Sequence, residues 1–445
     1  MQIRRMSPGT VARVHPGPWD LLVALSLVAL LLFPVACEAP VKRPSVNWFV
    51  EQYLRLAVAL GERDPDSLDF YFGPEGPVAQ VRLAPPTEAS IAQEAAALRN
   101  GLDEERSGLS APDMRRADFL RLQLDAIRLR AEMLSGAARS FDEEGRVFFD
   151  VRAGDDLSQA ERKQTRMEIG QLLGSKKDLA HSYSKFDHQF VVSPDRVAVV
   201  MAAALQQCRT ETLKHIALPA EERVDVHYVY NKPWSGFSRY MGHAHSVIQI
   251  NLDFPLTVDR ILNLACHEGY PGHHVFNTMR DQSLVGHGRE DEWLVQPTYS
   301  PQSMVSEAAA SYAAEVVFTP DQRLRVEHDV LFPLAGLDAG KAARYLQVQA
   351  LVDSLDTAEP AIARDYLDGN LEFVRAASAF EHEMLMEHAE TLLLYLNEYR
   401  SYMLTYTVGR DRVRQIVEQG NPSTEVRWRR YTDLMKNPVY SLDSY

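Results

Sequence analysis

The sequence predicts a mainly helical protein with a small β-sheet or hairpin set directly before a histidine-rich turn. Three observations carry this expectation. Apolar residues recur at helical spacing through most of the chain. Only two stretches alternate as strands do. The second of these is followed closely by His267-Glu268-Gly269-Tyr270-Pro271-Gly272-His273-His274.

The helical elements open at Val46. Trp48, Phe49, Tyr53, Leu54, Leu56, Ala57 and Leu60 fall on one face, and Gly61 stops the run. Asp64-Pro65-Asp66 and Gly73-Pro74 mark loops. Further helices are expected over Glu88–Leu102, Pro112–Ser135 and Ala160–Ser182, so residues 46–220 form a helical N-terminal half. The strand candidates are Val224–Tyr230 and Ser246–Leu252, with a loop between them carrying Pro233, Gly236 and Gly242. Helices resume at Val258–Gly269, Ser303–Phe318, Gln322–Phe332, Ala339–Leu355, Ala363–Ser378, Glu383–Thr405 and Arg410–Glu418. Residues 221–445 thus form a second half that carries the small sheet and the histidine site, packed with the first as one structural unit.

The chain of 445 residues is long enough for one large domain or two smaller ones. Its net charge of -14 and pI near 5.5 argue against a nucleic-acid partner, which needs a basic surface. Arg4, Arg5 and Arg13 precede an apolar run from Leu21 to Leu32 that is short for a span of about 20 residues. Ala36-Cys37 follows, which resembles a bacterial lipoprotein signal, although Pro34 stands where Leu is usual. Residues 1–37 are therefore read as a signal peptide of lipoprotein type and 38–45 as a tether. This places the rest in the periplasm or cell envelope, or secreted, with the membrane touched only through a lipid or anchor. Cys208 and Cys266 could pair in an oxidising compartment, but two free buried thiols are the expected state, and no Cys-x-x-Cys pattern exists to bind a metal.

The chemistry concentrates at the histidine motif. A hydrolytic zinc site wants three protein ligands and an open position. The usual helical solution puts two histidines four residues apart, with a glutamate after the first to take a proton from water. Here Pro271 stands at that fourth position. On a straight helix, residues seven apart lie about 10 Å apart along the axis, too far for one ion. Pro271 and Gly272 permit a kinked or bulged turn that swings a later histidine back. His267 and His273 are the expected ligands of a single Zn2+, with His274 as the alternative second ligand or a substrate contact. Glu268 is the expected general base. Glu307, in Val305-Ser306-Glu307-Ala308-Ala309-Ala310, is the expected third ligand, and Glu315 is expected to orient a ligand histidine. His243 and His245, two apart before the second strand, would face one way in extended chain and bind substrate or a second metal. Glu381-His382-Glu383 with Glu387-His388 lacks the Glu-x-x-His spacing of a di-iron bundle and reads as a solvated helix face.

His-Glu-x-x-Pro-Gly-His-His, followed by Ser-Glu-Ala-Ala-x-x-Tyr, resembles domain-of-unknown-function family 885, which is grouped with zincin-like metallopeptidases. The resemblance extends to Asp64-Pro65-Asp66, Tyr71-Phe72-Gly73-Pro74, Ser246–Leu252 and Leu404-Thr405-Tyr406-Thr407-Val408-Gly409, and so spans most of residues 46–420. Ala308 departs from the glycine usual in that family after the ligand glutamate. The resemblance implies a zincin-like, mostly helical fold, one zinc ion, and hydrolysis of peptide-like bonds. It further implies that Ser246–Leu252 is an edge strand lining the cleft, with Ile248, Gln249, Ile250 and Asn251 along the substrate backbone. By the same pattern, Tyr406 would stabilise the oxyanion. The sequence thus leads to an exported zinc peptidase acting on a peptide or peptide-like substrate. The alternatives are a non-catalytic, zinc-stabilised surface binding lipoprotein, or a zinc hydrolase of non-peptide amides.

Overall fold

The computed structural model describes residues 44–152, 159–175, 178–232, 234–282, 290–436 and 442. The signal segment 1–37, Cys37 and all but the end of the 38–45 tether lie outside the described residues. Ser45–Tyr445 forms one compact unit, mainly helical, with two small sheets among the described residues. Among the described residues no helix is long and apolar enough to cross a membrane.

The first helix, Val46–Arg63, begins where the Ser45 hydroxyl accepts a hydrogen bond from the Trp48 amide, one of the donors a helix start leaves unpaired. It buries Phe49, Val50, Tyr53, Leu54 and Leu56. Helices Glu88–Glu105 and Ala111–Leu134 pack beside it, and a shared apolar core collects Tyr53, Ile91, Phe119, Leu120 and Trp293. A second, larger core runs through the remainder of the unit and includes Phe148, Ile248, Ile250, Cys266 and Tyr312.

Against the first core, β1 (Leu68–Tyr71) pairs antiparallel with β5 (Val295–Pro297), which returns from far along the chain. Leu68 faces Pro297 and Phe70 faces Gln296, so Asp69 is the extra residue of a β-bulge. A bulge re-aims its side chain, and Asp69 is turned toward the histidine turn.

The second sheet has the order β2-β4-β3. β2 (Arg223–Val229) runs parallel to β4 (His245–Asn251), and β3 (Gly236–Tyr240) pairs antiparallel with β4 on its other side. Two expectations are corrected here. The stretch read as a loop holds a strand, β3, whose Gly236 and neighbouring Pro233 had signalled a break. The strand expected at the edge, Ser246–Leu252, is the middle strand, with its backbone groups hydrogen-bonded on both sides. Ile248 and Ile250 are buried core residues, and the Asn251 side-chain amide donates to the carbonyls of Lys232 and Trp234. Gln249 lies in register between His227 and Phe237. None of the four offers a free backbone edge to a substrate.

Other expected boundaries shift at left-handed residues. The helix expected over Ala160–Ser182 is two helices, Gln159–Leu173 and Leu179–Asp187, the first ending at Gly174 with φ +66. The one expected over Glu383–Thr405 is interrupted at Leu385 (φ +56) and His388 (φ +57). The acid- and histidine-rich stretch there lies on the surface: His382 faces Arg166, and Glu383 pairs with Arg162.

Cys208 and Cys266 form a disulfide, which corrects the free-thiol expectation. Helix Pro194–Thr212 packs against the turn that carries Cys266 and brings the two Cα atoms to 5.6 Å. The bond closes a 58-residue separation. Replacing both cysteines by alanine is expected to lower stability by about 2–4 kcal/mol, measured by denaturant unfolding of parent and variant under oxidising conditions. Unchanged stability would show that the pair does not bridge in the protein.

Candidate metal centre

Helix Val258–Leu264 runs into a single π-helical turn, Ala265–Gly269. The Tyr270 amide reaches back to the Ala265 carbonyl at 3.3 Å, and the Gly272 amide to the Cys266 carbonyl at 3.0 Å. Helix His273–Arg280 then starts afresh. Gly272 makes this reversal possible. A Cβ at that position would lie 1.8 Å from the His267 carbonyl oxygen and 2.5 Å from that of Cys266, backbone atoms with nowhere to go. The turn sets the His267 and His273 rings edge to face with centroids 4.8 Å apart.

Glu307 comes to them from helix Pro301–Val317. That helix starts at Pro301, so Glu307 lies well inside it, past the first turn where a carboxylate would serve the helix N-terminus. Its small residues let it sit at the centre of the molecule. Ala308, the departure from the family glycine, packs against Gly409: a Cβ at 409 would come within 2.9 Å of the Ala308 Cβ. Glu307 Oε2 lies 3.5 Å from His267 Nε2 and 3.4 Å from His273 Nε2. That oxygen is buried and makes no well-formed hydrogen bond. The other, Oε1, accepts from the Tyr402 hydroxyl at 2.8 Å. Ser306 Oγ contacts His273 Nδ1 at 3.3 Å.

Glu268 is buried, and its ligand atom lies within 4.8 Å of those of His267 and His273. It rests against the backbone of β3, where a Cβ on Gly236 would come within 2.8 Å of its Oε1. Burial raises the Glu268 pKa against the pull of both imidazoles. Burial also opposes charge on Glu307, but His273 and His267 outweigh it and hold that carboxyl far below its ordinary range. In turn burial would lower the pKa of His273, yet Glu307 raises it to about 9. The cluster is a tight set of imidazoles and carboxylates with the side chains of His267, His273 and Glu307 only partly screened from solvent.

His274 points elsewhere. It is fully buried, with Nε2 3.1 Å from Glu222 Oε2 and Nδ1 2.8 Å from Ser246 Oγ. Both ring nitrogens are engaged away from the His267–His273–Glu307 cluster, so the structure brings His273, not His274, to that cluster. Tyr270 and Arg209 also bond Glu222. Tyr406 stands beside His267 with ring centroids 6.2 Å apart, and its hydroxyl meets that of Tyr395 at 3.5 Å.

Three expected residues do not join the cluster. Glu315 faces Arg414, with contacts of 2.6 and 2.9 Å, because eight residues along a helix turn the side chain about 80° from Glu307. Ser306 contacts the histidine instead. His243 sits in a left-handed turn (φ +53) between β3 and β4, so the extended-chain premise that aligned it with His245 fails. His245 pairs across β4 with Asp225 at 2.9 Å and Arg223 at 3.3 Å. Among the described residues no second group of His, Cys, Asp or Glu converges as a metal would require.

Two residues at the centre escaped the sequence reading. Tyr402 lies four before Tyr406, a spacing that places both rings on one side of a helical turn, 5.7 Å apart. Asp69 reaches the centre through its bulge, and no pattern within so short a strand announces it. Burial raises its pKa to about 7, only partly offset by His273.

No family model matches this chain, and no curated protein matches it. Solved structures similar to it include the following two. One, "putative lipoprotein" from Colwellia psychrerythraea, has 12% identity and a TM-score of 0.47, with 80% of this chain and 69% of the other covered. The second is a lipoprotein of unknown function from Shewanella oneidensis, likewise so qualified, with 11% identity, a TM-score of 0.43, and coverage of 94% and 91%. The sequence-based expectation of a peptide-cleaving enzyme is corrected at this point. The similar structures are described as lipoproteins, one of them of unknown function. Peptide hydrolysis is withdrawn, and the non-catalytic alternative is the one carried forward.

Gly272→Ala is expected to lower both the unfolding temperature and the occupancy of any ion at His267 and His273, since the added methyl must displace backbone. A fully stable Gly272→Ala protein with an unchanged turn would contradict this account. Glu222 gives a pH-dependent test. Burial opposes its charge, but hydrogen bonds from His274, Tyr270 and Arg209 lower its pKa to about 2. A depressed carboxyl contributes stability that is complete above its ordinary pKa near 4.5 and is lost as pH falls toward 2. Glu222→Gln is expected to flatten that acid limb, worth on the order of 3 kcal/mol, in unfolding curves taken between pH 6 and about pH 2. Parallel limbs in parent and variant would show that Glu222 is not the responsible group.

Proposed function

We propose that this chain is an exported, zinc-holding binding protein of the cell envelope, with the ion held by His267, His273 and Glu307. The observation that carries the reading is Glu307 Oε2, buried without a sound hydrogen bond and 3.5 and 3.4 Å from two imidazole nitrogens. Ligands about 2.0–2.1 Å from a tetrahedral zinc lie about 3.3 Å apart, so this spacing fits an ion between the three donors better than direct pairing. Tyr402 and Ser306 would hold Glu307 and His273 in place, the kind of outer contact that metal ligands generally need. His274 is engaged with Glu222 and Ser246, which leaves a fourth position for a donor atom of a bound ligand. Zinc would supply a Lewis acid at that position. Export is supported by the basic and apolar N-terminal segment ending in Ala36-Cys37, and by a disulfide, which persists in oxidising compartments.

One observation favours a second reading. Glu268 is a buried carboxyl beside the two histidines, and a purely structural ion has no use for it. Hydrolysis of a non-peptide amide would use it. Screening such amides against the parent and Glu268→Gln separates the readings: turnover lost in the variant favours the second, and no turnover in either favours the first.

Elemental analysis of the purified chain is expected to find about one zinc per molecule, lost in His273→Ala and retained in His274→Asn. A parent without zinc, or zinc retained by His273→Ala, would overturn the assignment.

A further inference from the structure

Arg280 ends the helix that His273 begins, and it is 5% exposed. Its guanidinium lies over two aromatic rings, 5.3 Å from the centroid of Phe276 and 4.9 Å from that of Trp293. Those faces leave only the edge of the fork for hydrogen bonds. Nη1 donates to Gln296 Oε1 at 3.0 Å, while Nε and Nη2 are buried with no acceptor. The Tyr53 hydroxyl, on a fully buried side chain of the first helix, also lacks a partner, and the Tyr53 ring reaches Trp293 through Phe119, with ring centroids 6.4 and 4.4 Å apart in turn.

The charge is as unbalanced as the hydrogen bonding. Glu292 is committed to Arg116 through contacts of 2.6 and 2.8 Å. Asp281 accepts from the Tyr240 hydroxyl at 2.9 Å. Asp69 attracts Arg280 at longer range but does not bond it. Burying an ion without a partner is costly even after relaxation. A water could accept the stray donors but would leave the charge. An anion satisfies both.

We propose that Arg280 and Tyr53 form an internal site for a small monovalent anion of halide size, lying between the β1–β5 pair and the histidine-bearing helix. Both side chains are buried, Arg280 at 5% exposure and Tyr53 at 0%, which limits an occupant to a small ion. Arg280 Nε, Arg280 Nη2 and the Tyr53 hydroxyl supply the donors. The site does not depend on the ion at His267 and His273, and metal-free protein serves for its test.

The experiment compares thermal unfolding of the parent in chloride, bromide and fluoride at matched ionic strength, alongside Arg280→Met and Tyr53→Phe, and locates bromide by anomalous diffraction. The expected result is a saturable rise in Tm with chloride and bromide over fluoride. That rise should be abolished in Arg280→Met, whose apolar stem still packs on Phe276 and Trp293, and reduced in Tyr53→Phe. An anomalous peak is expected within hydrogen-bond reach of Arg280. Equal Tm values in the three salts, or no bromide beside Arg280, would overturn the proposal and leave water as the occupant. A halide response that persists in a folded Arg280→Met protein would also overturn it.

Discussion

The organisation of the candidate centre depends on one close approach, the His267 carbonyl oxygen standing where Gly272 has no side chain. A regular helix would keep His267 and His273 apart. The π turn at Ala265–Gly269 and the fresh start at His273 fold the chain back and place both rings against Glu307. Everything around the turn holds it in that shape. The Cys208–Cys266 bond fixes it to a neighbouring helix, and His274 locks its far side to Glu222 and Ser246. Two adjacent histidines therefore do different work: one faces the cluster, and the other anchors the backbone that aims it.

A second consequence is the mixed electrostatic character of the interior. Glu307 is held ionised by two imidazoles, whereas Glu268 and Asp69 are pushed toward neutrality by burial. Such opposed environments within one cluster are characteristic of sites that bind or react. Arg280 extends the same polar layer toward the first helix, where its aromatic neighbours stabilise the face of the guanidinium but not its edge.

The helices and the broken motif were legible because their signals are local. The spacing of Trp48, Phe49, Tyr53 and Leu56 defines an amphipathic face, and Pro271-Gly272 announces a break in the helix. What the sequence hid is what tertiary contacts decide. Strand β3 was concealed by Gly236, which is small because Glu268 lies against it. The central position of β4 follows from pairing on both sides, and alternation within one strand cannot reveal it. Asp69 enters through a bulge formed with a strand over two hundred residues away. Glu315 misled because a helix of small residues carries acids on several faces, and only packing chooses among them. The peptidase expectation rested on resemblance, and the comparisons with known proteins did not support it.

The most direct test of the central claim is X-ray absorption at the zinc edge on the zinc-loaded chain. The account predicts a first shell of light atoms at about 2.0–2.1 Å with the scattering pattern of two imidazoles and a carboxylate oxygen. A sulfur shell at about 2.3 Å, or zinc bound without imidazole, would contradict it.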